Sequence, residues 1–147
     1  MRNEEIWVVD DDNDDHEILT LIGQELGVSE RLRFFNDAQE VLSALKGSDL
    51  GGPFIILCDV NLPGSDGFRL RREMLKQPNK KFHSVPFIFW TTNASDTQVD
   101  RAFREYAHGF FIKEESYKEW RNTLKTIIEY WLKSRMPSKQ DAYEAPL

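Results

Sequence analysis

At 147 residues and 17.2 kDa, with 40% hydrophobic and 12% aromatic residues, the chain has the size of one domain with a sizeable core. A net charge of −6 and a pI near 5.1 exclude a general binder of nucleic acid or anionic membranes. The single cysteine excludes an internal disulfide, and no run reaches the roughly 20 apolar residues of a membrane span, so a soluble, cytoplasmic protein is expected.

The first apolar run, "EEIWVVD" (4–10), opens into five aspartates between positions 10 and 15. Two carboxylates about 4 Å apart repel by roughly 4 kcal/mol at an effective dielectric of 20, so either they point apart or a cation holds them together. The helical pattern "DDHEILTLIGQEL" (14–26) follows and ends at Gly27. Next come "RLRFF" (31–35), short and mixed like an edge strand, and the helical "AQEVLSALK" (38–46), with Asp37 and Glu40 spaced as a capping box. Gly47 and the Gly51-Gly52-Pro53 cluster mark loops before "PFIILCD" (53–59) and the helical "DGFRLRREMLKQ" (66–77). "VPFIFWT" (85–91) precedes "SDTQVDRAFREYA" (95–107), and "GFFIK" (109–113) precedes "SYKEWRNTLKTIIEYWLKS" (116–134). Both helices open on box spacings, Ser95 with Gln98 and Ser116 with Glu119.

Runs one, three and four are almost continuously apolar, as strands covered on both faces must be. Strict alternation of five strands with five helices predicts a doubly wound α/β domain with a parallel sheet over 1–134. A barrel would need eight such units. Residues 135–147, "RMPSKQDAYEAPL", have two prolines and no apolar period and read as a flexible tail.

Ligands of such sheets sit beyond the carboxyl ends of the strands. There the sequence places Asp10 and Asp11, Asp59, Thr91 and Thr92, and Lys113. Carboxylates with few nitrogen or sulfur neighbours select a hard cation such as magnesium. A carboxylate can also act as a nucleophile toward phosphorus, with a lysine and a hydroxyl offsetting the phosphoryl charge. An EF-hand loop fails, because Asp15 stands at its sixth position and Leu21 at its twelfth. Asp10 and Asp12 also fit the strand-end DxD of a haloacid dehalogenase-type phosphatase, but the chain has no room for that family's cap domain. Aspartate favours a helix's first turn, so Asp12, Asp14 and Asp15 also fit simple solvation there. Cys58 is expected in the core, and His16, His83 and His108 lack metal-ligand spacing.

"VVDDD" (8–12), "LCDVNLPGSDGF" (57–68), "FIFWTT" (87–92) and "GFFIK" (109–113), in this order, resemble the receiver domain of two-component response regulators. The resemblance spans residues 5 to about 133 and implies a flavodoxin-like sheet of order 2-1-3-4-5. It also implies that Asp59 is the phosphoacceptor, assisted by Lys113, Thr91 and Thr92. Asp10, Asp11, Asp59 and the backbone carbonyl of Asn61 would hold Mg2+ or Mn2+, and Thr91 and Phe110 would form the switch. Three positions depart from the family pattern: Glu114 replaces the usual proline after Lys113, Thr92 is bulky, and Trp90 is large. A cis bond before a non-proline residue costs about 2.5–4 kcal/mol, so the Lys113–Glu114 bond is expected to be trans.

The last helix carries an apolar stripe of Tyr117, Trp120, Leu124, Ile127 and Trp131, widened by Ile128 and Leu132. Tyr130 and the turn beyond it exceed what packing on the sheet needs. The reading is a stand-alone regulator phosphorylated by a sensor histidine kinase or phosphotransfer protein. It would signal to a downstream protein, or to a second copy of itself, through the face of helix four, strand five and helix five. A degenerate receiver acting as a constitutive interaction module, and a small magnesium-dependent phosphatase, are the alternatives. With only 34 residues after Lys113, one helix leaves no space for a helix-turn-helix module.

Overall fold

The computed structural model describes residues 4–47, 52–78 and 80–136. Five strands, β1 (Glu5–Val9), β2 (Leu32–Phe35), β3 (Pro53–Cys58), β4 (Phe87–Thr91) and β5 (Gly109–Ile112), form one sheet. Its order is β2-β1-β3-β4-β5, and every pairing is parallel. The helices are α1 (Asn13–Leu26), α2 (Ala38–Lys46), α3 (Gly67–Lys76), α4 (Asp96–Arg104) and α5 (Tyr117–Lys133). A tight hairpin pairs Asn61–Leu62 with Ser65–Asp66 just before α3, a feature the apolar pattern did not signal.

Side chains alternate across the sheet and divide the core in two. Trp7 and Val9 of β1 and Phe87 and Phe89 of β4 join a cluster with Val41 and Leu45 of α2 and Phe68, Leu70 and Met74 of α3. Ile6, Val8, Ile88 and Trp90 face the other way, against Leu19 and Ile22 of α1 and Trp120, Leu124, Ile127 and Ile128 of α5. β3 is buried along its whole length, as its unbroken apolar run requires. Cys58 packs in the first cluster, 1% exposed. Burial also pushes its thiol well above the ordinary thiol range.

Most boundaries fall within a residue or two of the sequence expectation. α1 begins at Asn13 because Asp12 takes the N-cap, accepting hydrogen bonds from the backbone N–H groups of Asp14 (2.8 Å) and Asp15 (3.3 Å). Ser95 and Gln98 make both bonds of a capping box. At α2 the box is altered: Asp37 accepts from the Glu40 N–H, whereas the Glu40 carboxylate takes the N–H of Asn36.

α4 stops at Arg104, short of the expected 107, because Tyr106 turns into the left-handed region at φ 63°. The carbonyls of Glu105 and Tyr106 there accept from the buried guanidinium of Arg71, at 3.2 and 2.9 Å. Met136, expected in the tail, packs against the α1/α5 cluster, and residues 137–147 lie outside the described residues, as does Gly51.

Candidate functional site

The carboxyl ends of β1, β3, β4 and β5 converge, and their polar side chains meet on Lys113. It is the residue after β5 and is anchored by its own N–H to the Thr91 carbonyl at 2.7 Å. Its Nζ, 5% exposed in the side chain, donates to Asp10 Oδ2, to Asp15 Oδ2 at 2.7 Å and to Asp59 Oδ2 at 2.8 Å. Asp59, at the end of β3, shares its other oxygen between the Thr91 hydroxyl (2.9 Å) and the Asn61 N–H (3.0 Å). Asp10 Oδ1 accepts from the Asp12 N–H at 2.9 Å. Every oxygen of Asp10 and Asp59 therefore has a donor.

Gly67 lets α3 start against this site. A β-carbon there would stand 2.5 Å from the Asp59 carbonyl oxygen and 3.0 Å from Cys58 Sγ, so any side chain would displace the end of β3.

Aromatic rings pack beside this cluster. The Lys113 ammonium lies 5.9 Å from the Trp120 ring centre, within cation–π reach. Trp120 packs on Trp90 at 5.1 Å, and its indole N–H donates to the Glu114 carbonyl. The Lys113–Glu114 bond is trans, as expected without proline.

The expected residues are not all drawn in. Asp10, Asp59, Thr91 and Lys113 form one hydrogen-bonded group, whereas Asp11, Asn61 and Thr92 are exposed at its rim. Phe110 is half-buried and lies 5.9 Å from Phe89. Asp15 and Trp120 reach Lys113, a role the sequence reading did not give them.

A family model described as the response regulator receiver domain matches residues 6–125. The chain belongs to the response regulator receiver family of two-component signalling. This receiver is 27% identical over 130 residues to the probable methanogenesis regulatory protein FilR2 of Methanothrix harundinacea, covering 86% of the chain and 83% of that protein. It is 32% identical over 132 residues to the DNA-binding transcriptional regulator NtrC of Escherichia coli K12. That match covers 90% of the receiver but only 26% of NtrC.

Among solved structures, the phosphorylated cyanobacterial phytochrome response regulator RcpA superposes with a TM-score of 0.80 at 21% identity, covering 92% and 99% of the two chains. The magnesium-bound receiver domain of the sensor histidine kinase PA1611 from Pseudomonas aeruginosa PAO1 gives 0.71 at 24%, covering 89% and 98%. At these identities the likeness is one of fold, and the strand order it implies is the one observed. Divalent-metal binding is typical of the family, as are kinase or phosphotransfer partners, and its members are signalling phosphoacceptors rather than classical enzymes.

Among the described residues of this receiver, no three acidic, histidine or cysteine side chains are gathered at metal-ligand spacing. The Lys113 ammonium takes one oxygen from each of Asp10, Asp15 and Asp59. The donor set still fits a hard divalent cation. Three carboxylates, those of Asp10, Asp15 and Asp59, share one ammonium, leaving an excess of negative charge, and the oxygens of Asp10 and Asp59 are hard donors of the kind that suit magnesium or manganese.

Electrostatics at Asp10 give a pH-dependent prediction. Burial pushes its carboxyl up to about 6 from the ordinary 3.8, against the pull of Lys113 and with a smaller push from Asp59. A folded-state value above the unfolded one makes the contribution to stability full below about 3.8 and lost as pH rises through about 6. Ionised Asp10 therefore costs stability at neutral pH. Asp10→Asn is expected to stabilise the metal-free protein at pH 7 by up to about 3 kcal/mol, and by progressively less between pH 6 and 4. Urea unfolding in EDTA across that window checks both the sign and the slope.

Proposed function

We propose that this receiver accepts one phosphoryl group on Asp59 from a phosphohistidine of a sensor histidine kinase or phosphotransfer protein. The observation that carries the reading is the pairing of both Asp59 oxygens with functional partners, Lys113 at 2.8 Å and Thr91 at 2.9 Å. In the transfer, an Asp59 oxygen bonds to phosphorus while the phosphorus–nitrogen bond breaks and the imidazole leaves. Charge on the phosphoryl oxygens is then met by the Lys113 ammonium and the Thr91 hydroxyl, with Thr92 at the rim.

Asp10, Asp11, Asp59 and the Asn61 carbonyl would hold Mg2+ or Mn2+, which when bound neutralises phosphoryl charge as a Lewis acid. Burial opposes a charge on Lys113, but its hydrogen bonds to Asp10, Asp15 and Asp59 outweigh that and hold its pKa above the ordinary lysine value. The lysine thus stays a cation across the physiological range.

Output would run through Thr91 and Phe110. The Thr91 hydroxyl already rests on Asp59, so a phosphoryl group asks it for only a short shift, and Phe110 sits beside Phe89 ready to repack. The α4–β5–α5 region exposes Phe103, Tyr106, Ile112 and Tyr130, apolar surface suited to a downstream protein or a second copy of the chain. Coupling between phosphorylation and that contact is expected to lie within the about 1–3 kcal/mol usual for allostery. A histidine-kinase donor fits a cytoplasmic setting, and no helix among the described residues is long and apolar enough to cross a membrane.

Intact mass after incubation with acetyl phosphate tests the reading. The wild-type protein is expected to gain one phosphoryl group with magnesium and none in EDTA, and Asp59→Asn none in either. Equal modification of Asp59→Asn would defeat the assignment.

A further inference from the structure

Asp15 is left unused by the proposed function. In a helix's first turn an aspartate ordinarily faces solvent and the free N–H groups. Here those groups are served by Asp12, whose carboxylate accepts from Asp14 and Asp15 themselves. The Asp15 side chain turns inward instead, 15% exposed, with Oδ2 2.7 Å from Lys113 Nζ. Its position explains why: Leu19 and Ile22, four and seven residues on, are fully buried, so Asp15 continues the core-facing stripe of α1 to the end of the sheet.

A lysine ammonium has three N–H donors and long, flexible reach. All three donors here have carboxylate partners, Asp10, Asp15 and Asp59. Two of those partners have other work in the proposed function, Asp59 as acceptor and Asp10 as a cation ligand. Asp15 has neither duty. The geometry points to Asp15 as a positioning residue for phosphoryl transfer: it tethers Lys113 to α1 through one N–H, so that the other two stay aimed at the Asp59 side of the pocket. This inference rests on the phosphoacceptor reading and names a residue within it that acts through the lysine.

Two variants separate the tether from general structure. Asp15→Asn keeps size and an acceptor oxygen but loses the charge, whereas Asp15→Glu keeps the charge. With acetyl phosphate and saturating magnesium, Asp15→Asn is expected to lower the maximal phosphorylation rate about tenfold, with the acetyl phosphate KM and the magnesium affinity (read by tryptophan fluorescence) within about twofold of wild type. Asp15→Glu is expected to recover the rate to within about threefold. In the metal-free protein, the 15N signal of the Lys113 ammonium is expected to be sharp in wild type and Asp15→Glu and broadened by exchange in Asp15→Asn.

An unchanged rate and an equally sharp signal in Asp15→Asn would overturn the tether. So would a magnesium affinity that falls in step with the rate, which would make Asp15 part of the cation's field, or a failure of Asp15→Glu to rescue. A wild-type protein that takes up no phosphoryl group would defeat the phosphoacceptor reading itself, and this inference with it.

Discussion

Replacing Lys113 by alanine is expected to destabilise the metal-free protein by about 3–5 kcal/mol at pH 7, the usual cost of stripping one partner from a buried ion pair. The ammonium is the shared partner of Asp10, Asp15 and Asp59. Asp15 and Asp59, 15% and 12% exposed in their side chains, can turn partly toward water, but Asp10 at 4% cannot. Asp10 is thus left to shed its charge by taking a proton. Its carboxyl already titrates near 6 with the lysine in place, and losing the lysine removes an interaction that lowers that value. The folded variant therefore binds its proton more tightly, and its deficit should shrink as pH falls from 7 to 5. Urea unfolding at both pH values in EDTA checks this. A deficit below about 1 kcal/mol, typical of exposed pairs, would mean that the carboxylates do not depend on the lysine.

The second large effect is expected at Arg71, outside the Lys113 cluster. Its guanidinium is 1% exposed, stacks 5.3 Å from the Phe87 ring, and closes the end of α4 by donating to the Glu105 and Tyr106 carbonyls. Burial lowers its pKa to about 10, only partly offset by Glu105, so the charge is held at a cost. The Arg71→Met variant keeps most of the volume but leaves two carbonyls without their charged donor. At roughly 1.5–3 kcal/mol for each hydrogen bond to a charged group, less the desolvation relieved, a net loss of about 2–3 kcal/mol is expected. Amide exchange should accelerate most over residues 104–109, because Tyr106 keeps its left-handed conformation only while its carbonyl is held. A variant with wild-type stability and unchanged exchange there would show that water replaces the guanidinium without penalty.

The sheet was legible because its three central strands are covered on both faces, so their apolar runs are nearly unbroken, and because helix caps such as Ser95 with Gln98 mark starts by chemistry alone. The strand-end rule brought Asp10, Asp59, Thr91 and Lys113 together before any coordinates. What escaped were polar residues on buried stripes. Asp15 lies on the same face of α1 as Leu19 and Ile22, and Arg71 on the same face of α3 as Phe68 and Met74, yet Asp15 also fitted simple solvation of the helix start and Arg71 sits unmarked in a charged run. Asking which charge falls within each apolar stripe, or one turn beyond it, would have flagged both. Spacing along the chain also gave no sign that Asp15, rather than the exposed Asp11, would be the third carboxylate on Lys113.

Asp59, alone among the crowded carboxylates, is the proposed carrier of the phosphoryl group. Borohydride trapping after brief acetyl phosphate treatment reduces an aspartyl-phosphate to homoserine, and peptide mass spectrometry then locates it. Homoserine is expected at position 59 and nowhere else. Homoserine at position 10, 11 or 15, with Asp59 unmodified, would contradict it.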